Sequence, residues 1–285
     1  MLIVLRLQRY RSGIGTFKLA GYDILRFMEY WLLFLFGLAI GSFLNVVIYR
    51  LRFGDSPMKG RSYCDKCKKQ IAWFDNIPLL SFLLLGGKCR QCKKKIPVDY
   101  PLVELLVGLQ FVWIYWLLKV NFAFFGTWEG FYSLGLLIYW LILFSGSLAI
   151  VVYDLKYMLI PDEVLGPLVG IAFLRLLISQ QWQVLWSAVG SSLFLLSLWL
   201  ITRGKGMGLG DVKLAFLMGL VLGWPLILVA YFMAFLTGAV AGVILMLLNK
   251  KKFKDKIAFG PFLLLGMMAA KLWGWSVWQW YLGWL

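Results

Sequence analysis

The chain has 285 residues, 62% of them hydrophobic and only 15% charged, with a mean hydropathy of +0.81 and a net charge of +16. Soluble domains run nearer half apolar and about a quarter charged, so this composition excludes an ordinary water-soluble enzyme and indicates an all-α protein with several membrane spans. The bases cluster in loops, which marks cytoplasmic segments rather than a nucleic-acid surface, and the lack of any histidine excludes Ser-His-Asp and Cys-His nucleophiles and H-E-x-x-H zinc sites.

Residues 1–29 form an N-terminal extension of unknown role. Arg6, Arg9, Arg11, Lys18 and Arg26 recur through it, and it lacks the clean apolar core and small-residue cleavage site of a signal peptide. Met28 is an alternative start, and removing residues 1–27 is expected to leave activity intact. Crossing a ~30 Å hydrocarbon core takes about 20 apolar residues. Spans are predicted over 30–49, 101–118, 132–153, 163–179, 184–202, 212–224, 226–248 and 258–281, about eight in all. Read as one helix, 212–248 would run about 55 Å. Gly223-Trp224-Pro225 supplies the break that makes it two.

Loop charge orients these spans. Loops 50–100, 154–162, 203–211 and 249–257 hold 12, 1, 2 and 5 Lys or Arg, while the opposite loops hold little beyond Lys119. The basic loops are therefore expected in the cytoplasm. The far side carries an interfacial belt that includes Trp182, Trp186, Trp273, Trp275 and Trp280.

Within 50–100 lie two C-x-x-C pairs, Cys64/Cys67 and Cys89/Cys92, in a repeated phrase: Cys67-Lys68-Lys69-Gln70-Ile71 and Cys92-Lys93-Lys94-Lys95-Ile96. Two such knuckles facing one metal form a closed Cys₄ site, a structural rather than catalytic Zn²⁺ centre. The surrounding lysines and arginines offset the negative charge of four thiolates. Two disulfides would be the alternative, which a reducing compartment disfavours.

Acids at helix ends in a membrane protein need a reason. Asp154 ends the predicted span 132–153, where the helix dipole disfavours a negative charge. Asp211 follows Gly206-Met207-Gly208-Leu209-Gly210 and opens the next helix but two; alone, it reads equally as a helix N-cap. Asp162, after Pro161, reads as an ordinary helix start, and eight helical residues would set it ~12 Å from Asp154. The glycine run lets a backbone approach closely but lacks the spacing of a nucleotide-binding loop. In a chain without histidine, paired aspartates are the natural means of activating water. Two other readings stand beside a hydrolase. An ion-coupled transporter would place acids near mid-membrane, and a non-catalytic zinc-bearing scaffold would leave the aspartates without a role.

The segments Gly41-Ser42-Phe43-Leu44-Asn45 through Arg50, Asn76-Ile77-Pro78-Leu79-Leu80-Ser81, Gly87 through Cys92, Tyr100-Pro101-Leu102-Val103-Glu104 and Gly208-Leu209-Gly210-Asp211 together resemble the bacterial type IV prepilin peptidase family, from about residue 30 to 270. The resemblance implies a bifunctional leader peptidase and N-methyltransferase of the bacterial inner (cytoplasmic) membrane. It implies Asp154 and Asp211 as the catalytic pair, S-adenosylmethionine as methyl donor and prepilins or pseudopilins as substrates. It implies a cytoplasmic domain, 50–100, that carries zinc on Cys64, Cys67, Cys89 and Cys92 and serves N-methylation, with Gly87 at the donor site. Residues 30–49 are then the first span and 101–285 the membrane-embedded aspartic peptidase.

Overall fold

The computed structural model describes residues 19–118, 127–204, 206–248 and 257–284, with only the backbone course for 19–25. Among these residues the chain is helical and contains no strand. The helices are α1 (Leu19–Leu51), a short α2 (Leu80–Leu84), α3 (Asp99–Leu118), α4 (Trp128–Tyr157), α5 (Asp162–Ser179), α6 (Gln183–Thr202), α7 (Leu209–Leu222), α8 (Leu226–Leu247) and α9 (Gly260–Leu282). Each predicted span coincides with one helix, and the break at Gly223-Trp224-Pro225 falls between α7 and α8 with Gly223 at φ 69°. Among the described residues, five helices (α1, α3, α4, α6 and α8) are long and apolar enough to cross a membrane.

Two boundaries differ from expectation. The first helix starts at Leu19 rather than residue 30, because no proline interrupts 19–29 and helix propagates beyond the apolar window that opens at Arg26. Of the predicted extension, residues 1–18 lie outside the described residues, as do Lys119 and most of the basic loop 249–257. The second difference is α7. At 14 residues it is about 21 Å long, too short for the hydrocarbon core. It compensates by burial: Leu214, Ala215, Leu217 and Met218 have no exposed surface. A helix apolar all round belongs inside protein, and α7 is sheathed by α5, α6 and α9.

Glycine sets the closest helix crossings, because without a hydrophobic force between helices in lipid, close van der Waals packing must hold them together. Gly37 and Gly41, spaced as G-x-x-x-G, bring α1 against α3 so tightly that a Cβ would lie 2.8 Å from the Gly108 Cα and 2.7 Å from the Glu104 Cα. Gly219 of α7 meets Ala188 of α6 in the same way, and Gly266 of α9 meets Ala230 of α8. The α1–α3 and α8–α9 pairs are joined by α4, which touches α1, α3, α5 and α9, and the α6–α7 pair is reached through α5 and α9. Thr127 caps α4 by accepting a hydrogen bond from the Gly130 N–H at 3.2 Å. At its other end a small cluster of Ile48, Ala149 and Tyr153 binds α1 to α4. The predicted tryptophan belt is exposed at Trp182, Trp186, Trp273, Trp275 and Trp280, at or beyond the helix ends remote from Asp154 and Asp211.

Candidate active site and metal centre

Asp154 occupies the last turn of α4 and Asp211 the first turn of α7, and both are buried. The third acid, Asp162, is not. It opens α5, exposed, and forms an ion pair with Lys213 at 2.7 Å. The expectation that Asp162 is a structural helix start agrees with this placement.

Each buried carboxylate is held by a glycine N–H. Asp211 Oδ2 accepts a hydrogen bond from Gly208 at 3.1 Å, and Asp154 Oδ2 accepts one from Gly260 at 3.0 Å. Asp211 is therefore not the N-cap of its helix. Gly208 takes that position, and Asp211, three residues on, reaches back to its backbone. Asp154 also departs from the dipole argument. It does end α4, but the N-terminus of α9 aims its Gly260 N–H at the carboxylate, so the unfavourable end of one helix is offset by the favourable end of another. The dipole penalty expected at Asp154 is thus largely offset.

Ile160, on the turn between α4 and α5, links the two acids. A Cβ on Gly210 would sit 3.0 Å from the Ile160 Cβ, and a Cβ on Gly260 would sit 3.5 Å from the Ile160 Cδ1 and 2.7 Å from Asp154 Oδ2. One isoleucine therefore packs against the glycine preceding Asp211 and the glycine that holds Asp154, and Asp154 lies within electrostatic range of Asp211. Sequence reasoning missed Ile160 and Gly260. The available signal was Phe259-Gly260-Pro261, a proline just inside a helix start.

The four cysteines converge as expected. All are free thiols, and their Sγ atoms lie within 4.8 Å of one another, with Cys64 and Cys92 at 3.9 Å. Four sulfurs at ~2.3 Å from one ion would be roughly 3.8 Å apart, so this donor set fits a tetrahedral metal. The sequence repeat is a structural repeat. Cys64 N–H donates to Lys69 O at 3.0 Å and Cys89 N–H to Lys94 O at 2.9 Å. Lys68 and Lys93 take the same left-handed turn at φ 58° and 57°. Backbone N–H groups of Cys92 and Gln91 hold the Cys89 thiol down to about 7, so a thiolate forms readily there. Arg90 clamps Asp75 through both carboxylate oxygens and holds its carboxyl below the usual range. Gly87 opens the second knuckle at φ 67°, facing the Phe82 ring.

Polar side chains tie this domain to the helices. The Arg50 guanidinium is buried and donates to the carbonyls of Ser56, Pro57, Lys59, Gly60 and Arg61, folding that loop around itself. Asn45 Nδ2 donates to Tyr100 O at 2.9 Å, and Glu104 Oε2 accepts from the Leu79 N–H at 2.8 Å. Lys156, two residues beyond Asp154, pairs with Asp99 and lies over the Tyr100 ring at 5.5 Å.

Two family profiles match the chain: Bacterial Peptidase A24 N-terminal domain over residues 35–118, and Type IV leader peptidase family over residues 141–243. The chain is 35% identical over 290 residues to a "Prepilin leader peptidase/N-methyltransferase" of Aeromonas salmonicida, covering 90% of this chain and 95% of that protein. Proteins of the same description from Pseudomonas aeruginosa and Legionella pneumophila are 34% and 32% identical, each match covering 87% of this chain and, respectively, 91% and 93% of the relative. No solved structure matches the chain.

Proposed function

The chain belongs to the type IV leader peptidase family, and from that membership we propose that it cleaves the leader from type IV prepilins or pseudopilins and methylates the amine that cleavage exposes. The observation that carries the peptidase reading is the pair of buried carboxylates, Asp154 and Asp211, at one end of the bundle, each fixed by a glycine N–H. The two share a proton, since like charges held close do not both ionise readily. The ionised carboxylate takes a proton from water, which attacks the scissile carbonyl. The protonated one donates to the developing oxyanion and later to the leaving amine. Because the pair titrates as a unit and both members are held alike, neither is assigned a fixed role.

In this reading the dyad and the cysteine domain face the cytoplasm of a bacterial inner membrane, where a precursor keeps its leader while its apolar segment stays in lipid. Cys64, Cys67, Cys89 and Cys92 hold a structural Zn²⁺ that fixes the two knuckles. Bound S-adenosylmethionine would supply an electrophilic methyl group to the amine that cleavage exposes, the sulfur keeping the electron pair of the C–S bond and the amine losing a proton. Gly87, at positive φ where the second knuckle begins, is assigned to the methyl-donor site by the family pattern.

Asp154→Asn and Asp211→Asn should each abolish prepilin cleavage in membranes while the protein remains inserted, because the amide cannot pass a proton. Asp162→Asn should retain cleavage. An inactive Asp162→Asn alongside an active Asp154→Asn would overturn the pairing.

A further inference from the structure

Bases are few in the membrane helices. Helices α3 to α9 carry only Lys156, Arg175, Lys213 and Lys271. Lys156 and Lys213 stand at the end of the bundle that holds the dyad, and Asp99 and Asp162 pair with them. Arg175 and Lys271 stand toward the other end, where loop charge is sparse and bases are unexpected. At 1.5 Å per residue, Arg175 lies about 20 Å from the Asp162 end of α5, and Lys271 about 16 Å from the Gly260 end of α9. Arg175 is one turn from the close of α5, and Trp273 and Trp275 of the interfacial belt follow Lys271. The two cations meet on α4. The Arg175 Cζ lies 4.9 Å from the centre of the Tyr139 ring, the Lys271 Nζ lies 4.8 Å from that of Trp140, and the rings are 5.0 Å apart. Arg175 is half-buried, Lys271 is exposed, and each lies within electrostatic range of the other. Among the described residues neither meets a carboxylate or donates a hydrogen bond. Glu129, the acid at this end of α4, is about 15 Å along the helix from Tyr139.

Like charges held together in an apolar setting are costly unless an anion lies between them. We propose that Arg175 and Lys271 form the headgroup site of an anionic phospholipid, with its phosphodiester between guanidinium and ammonium, in the leaflet remote from Asp154 and Asp211. The planar guanidinium meets the non-bridging oxygens as a fork, and the ammonium adds a point charge. The faces of Tyr139 and Trp140 hold both cations in place and replace part of their lost hydration. Lipid phosphates lie at the interface that the tryptophan belt marks, and long basic side chains reach that level by running along the bundle surface. Around Arg175 the exposed surface of α5 is apolar at Phe173, Leu174, Leu177 and Ile178, ground for acyl chains rather than for a hydrated ion. An acidic segment of a partner protein fits less well, because it would have to carry its own carboxylate into lipid.

Two measurements on full-length protein test this. First, wild-type protein is placed in phosphatidylcholine vesicles doped with a phosphatidylglycerol whose headgroup carries a diazirine, and the labelled peptides are mapped after irradiation. Label within residues 136–144, 168–179 or 264–275 is expected, and label absent from all three segments would overturn the site. Loss of that label on adding prepilin would assign the cations to a protein partner and overturn the lipid. Second, phosphatidylglycerol is titrated into protein in detergent and the bound lipid is counted by native mass spectrometry. The double variant Arg175→Gln/Lys271→Gln should weaken the tightest lipid about tenfold or more. The exchange Arg175→Lys/Lys271→Arg keeps both charges and should retain most of the binding, and Arg203→Gln, at the opposite end of the bundle, should leave it unchanged. Undiminished binding by the first double variant, or equal loss with Arg203→Gln, would overturn the proposal. Displacement of the lipid by glycerol 3-phosphate would show that a soluble phosphate suffices and would overturn the lipid as ligand. Elution and melting like the wild type check the fold of the double variant; should it fail them, the label on wild-type protein decides alone.

Discussion

A methyl group at position 260 has nowhere to go. Its carbon would lie 2.7 Å from the Asp154 oxygen that the same residue's N–H holds, so Gly260→Ala must push the carboxylate aside or break that bond. Displacing a reacting group by about 1 Å costs on the order of 10²-fold in rate, and a kcat loss of that size is expected in a prepilin cleavage assay. Gly210→Ala should be milder, because its Cβ meets an Ile160 side chain at 3.0 Å that can yield a little. Gly208→Ala should be close to silent. Its backbone is at φ −86°, and its Cβ would meet Asp211 Oδ2 at an ordinary 3.7 Å. The order 260, 210, 208 follows from geometry and runs against the prominence of Gly208 in the motif. If Gly208→Ala proves the most damaging of the three, Asp211 is held differently. That Asp154 and Asp211 stand at helix ends was legible in the sequence, because acids stand out against apolar spans. Gly260 was not, because its partner lies 106 residues away and nothing local to it reports the contact.

At the scale of elements, legibility followed sequence separation. The knuckles were readable because the repeated phrase and its left-handed turns at Lys68 and Lys93 are local and chemically specific. That they face one another within 4.8 Å required the long-range fold, and so did the attachment of the domain. Metal analysis should return about one zinc per chain, and Cys64→Ser or Cys89→Ser should remove most of it. Metal-free wild-type protein would contradict the fit of the four thiols. Arg50 shows what the basic count of the 50–100 loop concealed. It is not one more exposed charge but a buried fork satisfied by loop carbonyls. Lysine cannot reproduce that fork, and bonds from a charged donor are worth about 1.5–3 kcal/mol. Arg50→Lys should therefore speed trypsin cleavage at Arg52 and Lys59 by roughly tenfold while zinc stays bound. Unchanged cleavage would mean that the loop is held without Arg50.

At the scale of the molecule, the two proposed activities rest on supports that overlap little. Asp154 and Asp211 are held by Gly260, Gly208 and Ile160, all within 154–260 and all in or beside α4, α7 and α9. The cysteine domain hangs from α1 and α3 through Arg50, Asn45 and Glu104. The halves meet where α1 and α3 pack on α4 and where Lys156 pairs with Asp99, so a disturbance in one reaches the other chiefly through that seam. Removing the metal should test this separation. Without an ion, four thiols lose the bonds that fix both knuckles. Methyl transfer should then fall about tenfold or more after chelation and return with added Zn²⁺, while leader cleavage stays within about twofold, because no group that holds either aspartate belongs to the knuckles. Both activities are read from one reaction, by following the cleaved and the methylated product of a prepilin. Parallel loss of cleavage would show that the cysteine domain also seats the precursor at the dyad. Retained methyl transfer in metal-free protein would show that the knuckles hold their shape through backbone bonds alone.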